Sequence, residues 1–158
     1  MSNQGNSDKN FDEFDNFVKD LQNQIDAKVY EDYSLYALEL AENPYKYGIL
    51  PSDEISIQKK KRGSCGDSVT FYLKINNGRI EDIRYETDGC TTSSIATSQT
   101  TKMVDNKTVE EALQLTDKQV LDALGKFPED SYHCATLAVD TLHLALNEYI
   151  KLKKKNEK

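Results

Sequence analysis

Three cysteines, Cys65, Cys90 and Cys134, stand out as residues able to do chemistry, together with Asp67, two positions after the first, and His133, directly before the last. Thiol and imidazole donors with one carboxylate suit zinc or iron–sulfur chemistry rather than calcium or magnesium. The spacing is not that of a zinc finger. No Cys-x-x-Cys occurs, and the donors come from separate places in the chain. Composition and spacing alone leave two readings open, a metal site and a set of ordinary buried thiols.

The local settings sharpen the first reading. Cys65 lies in "SCGDSV", where a strand begins. Residues two apart in an extended chain point the same way, so Cys65 and Asp67 are expected on one side, with Gly66 opening the backbone between them. Cys90 follows Gly89 and directly precedes a helical stretch. Cys134 falls near the third position of the last helix, with Ser131 or Asp130 as its N-cap. Helix N-termini present unpaired N–H groups and a positive dipole end, so both thiols are expected to have lowered pKa values. The run Lys59-Lys60-Lys61-Arg62 reads either as positive potential near Cys65 or as a charged edge strand that resists aggregation. His143 follows His133 by ten residues, about 15 Å along a helix, and is read as a packing or surface histidine. A hydrolase built on Cys134 and His133 is disfavoured, because neighbours on a helix diverge by about 100°.

The elements that must position these residues follow from pattern. The 158 residues suit one domain. Lys and Arg total 20 against 27 Asp and Glu, a net charge of −7, which argues against a nucleic-acid partner. The sequence has no apolar run long enough to cross a membrane and no leader-like start. With an odd number of cysteines, this points to a reducing, cytoplasmic setting. Residues 1–10 are polar and patternless and are expected to be disordered. Phe11, Phe14, Phe17, Val18, Leu21 and Ile25 have helical spacing and predict a surface or accessory helix within an N-terminal extension, 1–29, with a partner-docking helix as the second reading. Residues 31–42 predict a second helix, stopped at Asn43-Pro44.

Strands are expected over 55–61, 68–75 and 80–87, the last two joined as a hairpin through "NNGR". Helices are expected over 92–105, 107–115 and 116–126, with Thr108 and Glu111 forming a capping box. A central helix from 132 to 151 carries a wide apolar stripe, and 152–158 reads as a frayed basic tail, a solvated helix end whose lysines complement the C-terminal dipole. The fold class is α+β, a three-stranded antiparallel sheet with helices packed on one face, in a domain spanning 30–151.

Taken together, "CGD" at 65–67, "TDGCTTSSIATSQT" at 87–100 and "HCATLAVDTLHLAL" at 133–146 resemble the IscU/NifU family of iron–sulfur cluster assembly scaffolds. The likeness spans about residues 30–151 and includes "YS" at 33–34 and "NPYKYG" at 43–48. It implies a scaffold and carrier rather than a turnover enzyme. Such a protein takes persulfide sulfur from a cysteine desulfurase, binds iron, builds a [2Fe-2S] cluster and passes it to recipient apo iron–sulfur proteins. By motif match, Cys65, Cys90 and Cys134 are thiolate ligands, with Cys134 the favoured sulfur acceptor. Asp67 tunes cluster lability, and His133 is an alternate ligand. A homodimer when cluster-loaded, and zinc in the isolated protein, are also implied. The alternative of the same fold is a zinc-bound sulfurtransferase that activates a desulfurase.

Some positions depart from the family pattern. "KRGS" replaces the usual proline before the first motif, and Thr91 and Thr92 follow the second cysteine. "FPEDSY" replaces the Pro-Pro-Val-Lys segment read by a dedicated chaperone, which brings this part nearer the NifU-like branch. The long insertion of the sulfurtransferase branch is absent between Cys90 and His133.

Overall fold

The computed structural model describes residues 5–158, with side chains from residue 11 onward. In chain order the elements are α1 (Gly5–Asp32), α2 (Leu35–Glu42), β1 (Ile57–Arg62), β2 (Ser68–Asn76) and β3 (Arg79–Thr87). Four helices follow: α3 (Thr91–Val104), α4 (Val109–Leu113), α5 (Asp117–Leu124) and α6 (Tyr132–Asn156), the last preceded by a 3₁₀ turn at Glu129–Ser131.

The strands form one antiparallel sheet in the order β1-β2-β3, as the alternation predicted. The β2–β3 turn is made by Asn77 and Gly78, both at positive φ, +50° and +74°. That is the geometry that suits a two-residue Asn-Gly hairpin to the strand twist. Phe71 sits opposite Lys59 on one side and Tyr85 on the other. Its row, with Val69, Leu73, Ile57 and Ile83, is buried on the face covered by α3 and α6. The opposite face carries polar pairs such as Tyr72, whose hydroxyl donates to Glu86 at 2.8 Å. Helices therefore cover one face of the sheet, the predicted α+β arrangement.

Helix α3 is buried on nearly all sides although it is rich in Thr and Ser. Thr97, Thr100 and Thr101 donate their hydroxyls to the carbonyls of Ser93, Ala96 and Thr97, at 2.7–2.8 Å. Buried hydroxyls satisfied within their own helix do not incur the cost of an unpaired polar group. The "YS" and "NPYKYG" stretches have mechanical roles. Ser34 caps α2 through the Ala37 N–H and donates to the Leu124 carbonyl, tying α2 to α5. Lys46, at φ +55°, bridges Asp82 and Asp105 at 2.7 and 2.8 Å, while the Gly48 N–H bonds to the Tyr85 carbonyl. This loop thereby locks β3 to the end of α3.

Several boundaries differ from the sequence reading, and α2 begins at Leu35 rather than at the expected residue 31. Helix α1 begins at Gly5, so it takes in residues 5–10 that were expected to be disordered; residues 1–4 lie outside the described residues. It also runs without a break to Asp32, across the expected domain boundary at 29/30. Helix α6 continues to Asn156, into the segment expected to fray. Lys153, Lys154 and Lys155 lie in its last turn, where positive charge complements the helix dipole. The capping box at Thr108 and Glu111 is present, and a second one forms between Thr116 and Gln119.

Candidate functional site

Three chain segments meet at one end of the sheet: the β1–β2 loop, the start of α3 and the start of α6. The loop is held tight. The Gly63 N–H bonds to the Asp67 carbonyl at 2.8 Å, and the Arg62 Nε donates to the Gly66 carbonyl at 2.8 Å. Gly66 has φ +92°, a conformation glycine takes readily. Cys65 at the loop tip is exposed, and its Sγ lies beside Gly63, which in turn faces Leu137 of α6.

Asp67 reaches the other two segments through Ser93. The Ser93 hydroxyl donates to Asp67 Oδ2 at 2.7 Å, and the same hydroxyl oxygen is 3.4 Å from Cys134 Sγ. A serine hydroxyl has one proton. With that proton committed to Asp67, the Ser93 hydroxyl can only accept from the thiol, whose single S–H also has Thr92 Oγ1 as an acceptor at 3.7 Å. Gly89 permits the approach: a Cβ there would stand 2.6 Å from Ser93 Cβ and Oγ and 2.7 Å from Asp67 Oδ2. The glycine before Cys90 is thus a matter of space.

Cys90 is the N-cap residue of α3 and is exposed, with its Sγ 2.8 Å from Thr92 Oγ1. The Thr92 hydroxyl holds the Cys90 thiol pKa below its ordinary value, helped by the Ser93 and Thr92 backbone N–H groups against some burial. This is the lowering expected at a helix N-terminus.

Cys134 behaves differently, which corrects the sequence reading. Its side chain is 2% exposed, and burial pushes its thiol pKa up, with the negative charge of Cys90 and Cys65 adding to the rise. Desolvation outweighs the hydroxyls of Ser93 and Thr92. Ser131 is the N-cap of α6 but makes no side-chain cap.

His133, although exposed, has its Nε2 3.7 Å from Cys134 Sγ. The expected divergence of helical neighbours therefore does not keep this pair apart. The imidazole folds back over the sulfur. A buried thiol with a raised pKa is still a poor nucleophile for hydrolysis.

Cys65 and His133 together line a cleft of about 290 Å³ with Lys61, Arg62, Thr136 and Asp140. Of the Lys59–Arg62 run, Lys59 pairs with Glu148 and Lys61 with Asp140 of α6, at 2.5 and 2.6 Å. The run thus acts largely as a charged edge strand tied to α6. His143 is half-buried on α6, its Nε2 without a hydrogen-bond partner.

All five expected residues therefore collect at one end of the molecule. Cys90, Cys134 and Asp67 are joined through Thr92 and Ser93, and Cys65 and His133 flank them. Among the described residues, no three His, Cys, Asp or Glu side chains stand close enough to hold a metal ion between them. Sequence reasoning misses the linkers. It marks Thr92 only as an unusual neighbour of Cys90 and gives Ser93 no role, although a hydroxyl two or three places into a helix lies where it can meet the capping thiol. It also misses Tyr33 as a neighbour. Burial, and then the charge of Cys90, Asp32, Asp130 and Cys134, raise its hydroxyl pKa.

No helix among the described residues is long and apolar enough to cross a membrane. Comparison with known proteins agrees with this architecture. The family model of the NifU-like N-terminal domain matches residues 32–156. The iron–sulfur cluster assembly scaffold protein IscU 1 of Archaeoglobus fulgidus is 42% identical over 94 residues, 60% of this chain and 61% of that protein. The chain thus spans about three fifths of that relative's length. The scaffold protein IscU of Haemophilus influenzae is 31% identical over 120 residues, 74% of this chain and 94% of that protein. A crystal structure from Fervidobacterium islandicum AW-1 superposes with a TM-score of 0.60 at 24% identity, covering 74% of this chain and 98% of that one, a likeness of fold. With the match across nearly all of the sheet-and-helix domain, the chain belongs to the NifU-like N-terminal domain family.

Proposed function

We propose that this protein is an iron–sulfur cluster assembly scaffold. It takes persulfide sulfur from a cysteine desulfurase, binds iron and assembles a [2Fe-2S] cluster on Cys65, Cys90 and Cys134. Asp67 supplies a labile oxygen ligand, His133 is an alternate nitrogen ligand, and the cluster passes to recipient apo iron–sulfur proteins. Relatives named as scaffolds support the role. The observation that carries it is the grouping of Cys90, Cys134 and Asp67 through the hydroxyls of Thr92 and Ser93.

Each step asks something definite of these residues. In sulfur transfer, a thiolate attacks the terminal sulfur of the desulfurase persulfide. The S–S bond breaks and the desulfurase cysteine leaves as thiolate; the sulfur carried over is still sulfane and becomes cluster sulfide on two-electron reduction by an external thiol or electron-transfer protein. Cys134, the acceptor implied by the family motif, is buried in the free protein. Its sulfur must be uncovered when the donor docks, whereas Cys90 is already exposed and inclined to the thiolate form. For iron to be bound, Asp67 must turn from Ser93 and the Cys65 loop must swing inward. Ligands on a loop and two helix starts separate again by small motions, and one oxygen ligand holds a cluster less firmly than a fourth thiolate. Both features favour release.

Asp67→Ala tests this reading. The variant removes the labile ligand and is expected to hold its cluster longer than wild type. The assay follows visible absorbance after transfer to an apo-ferredoxin. A cluster in the variant that is lost as fast as in wild type would count against Asp67 as the release residue.

A further inference from the structure

Helix α1 stands apart from the domain. Every residue from 11 to 28 is exposed, yet the helix carries an unbroken apolar stripe. Phe11, Phe14, Phe17, Val18, Leu21 and Ile25 are 45–71% exposed. A lone helix gains little stability from propensity and is normally held by burial of its apolar face. This face has no cover within the described chain.

We infer that α1 pairs with α1 of a second copy, antiparallel, about a two-fold axis between Val18 and Leu21. The positions set the register. Phe11, Val18 and Ile25 repeat at seven, as do Phe14, Leu21 and Lys28 three residues later, the a and d sites of a helical seam. Antiparallel pairing stacks Val18 on Leu21 of the second copy and Phe14 on its Ile25, each layer repeated by symmetry. Both ends close in the same way, with the Lys28 stem and ammonium over the Phe11 ring of the second copy. A parallel pair would instead set Lys28 against Lys28 within the seam, a like-charge contact with no acid at that layer.

The charge pattern selects a second copy over other occupants. Asp12, Glu13, Asp20 and Asp26 lie on the outer face, away from the stripe. The seam is flanked by Asp15 against Gln22 and by Phe17 against Gln24, so self-pairing brings no acids together. A basic-rimmed groove on another protein would find few acids to meet at the stripe edges. Residues 11–28 span about 26 Å, and covering the stripe in both copies buries about 1,200 Å² in all, near the lower bound for a stable interface. The contact is isologous and closes at two subunits. It is independent of the cluster and of the proposed function.

Sedimentation equilibrium of the full chain, free of metal, tests the inference. Wild type is expected to form a concentration-dependent dimer. Leu21→Asp, which buries a charge at the axis, should weaken it about tenfold or more while leaving thermal unfolding of the domain unchanged. Asp12→Asn on the outer face should leave the dimer intact. A wild-type chain that stays monomeric to its solubility limit would overturn the proposal and assign the stripe to a different partner. So would a dimer indifferent to Leu21→Asp. Orientation is read with Lys28→Cys, whose two thiols an antiparallel pair holds about 25 Å apart and a parallel pair brings together. A disulfide between the two introduced thiols, found by peptide mapping, would overturn the register.

Discussion

Replacing Gly89 with alanine should disrupt the site through crowding alone. The added Cβ would stand 2.6 Å from two atoms of Ser93 and 2.7 Å from Asp67 Oδ2, where carbon contacts normally begin near ~3.5 Å. Ser93 cannot yield easily, because it is buried in the first turn of α3 against Cys134. Asp67 is the softer partner, so the methyl should push the carboxylate off the Ser93 hydroxyl. Overpacking costs about 1–3 kcal/mol. The lost hydrogen bond to a carboxylate costs up to about 2 kcal/mol more, reduced because Asp67 is only half-buried and can be rehydrated. A total of about 2–4 kcal/mol lowers the urea midpoint by about 1–2 M at a typical m value.

Gly66→Ala is the control. It has open space around it and strained backbone at φ +92°, so it reports strain without crowding. Ser93→Gly in the Gly89→Ala background removes the clashing side chain. The double-mutant cycle should then show a favourable coupling of about 1–2 kcal/mol. A Gly89→Ala midpoint equal to wild type, or strict additivity in the cycle, would refute the crowded geometry.

Thiol modification at neutral pH should proceed first at the exposed Cys65 and Cys90 and about tenfold or more slowly at buried Cys134, as read by peptide mass spectrometry. Thr92→Val should slow Cys90, which loses the hydroxyl that stabilises its thiolate, and leave Cys65 unchanged. Burial, then the hydrogen bond to Glu86 and its charge, push the Tyr72 pKa up to about 12. A tyrosine raised on folding stabilises the fold below its unfolded value near 10, and that contribution is lost as pH climbs toward 12. Tyr72→Phe should therefore flatten the fall in stability over that window, followed by urea titrations at stepped pH. An unchanged slope would show that Tyr72 does not titrate late.

The sheet was legible because β2 and β3 alternate and the Asn-Gly turn leaves few ways to join them, whereas β1 runs from Ile57 into the Lys59–Arg62 cations. The capping box at Thr108 was equally plain, since its two partners lie three residues apart. Boundaries were less visible. The start of α1 has no apolar periodicity before Phe11, and the lysines of α6 suit a helix end without marking where it stops, because the apolar stripe gives out before them. At the site, residue types at motif positions were readable but environment was not. Cys90 and Cys134 both begin helices, yet one thiol pKa is lowered by Thr92 and the other raised by burial beneath α3. Burial depends on how α3 and α6 cross, which no local pattern encodes. The role of Gly89 was hidden for the same reason, because the atoms that exclude a side chain come from Ser93 and Asp67.

The central claim is that Cys65, Cys90 and Cys134 together receive a cluster. Anaerobic reconstitution with ferrous iron, cysteine, a cysteine desulfurase and a thiol reductant to convert persulfide sulfur to sulfide, followed by absorption spectroscopy and iron, sulfide and zinc analysis, tests it most directly. Equal iron and inorganic sulfide, visible bands, and loss of those bands in Cys90→Ala are the predicted result. Tightly held zinc with no cluster, alongside faster desulfurase turnover, would contradict the claim and make the same site a sulfur relay.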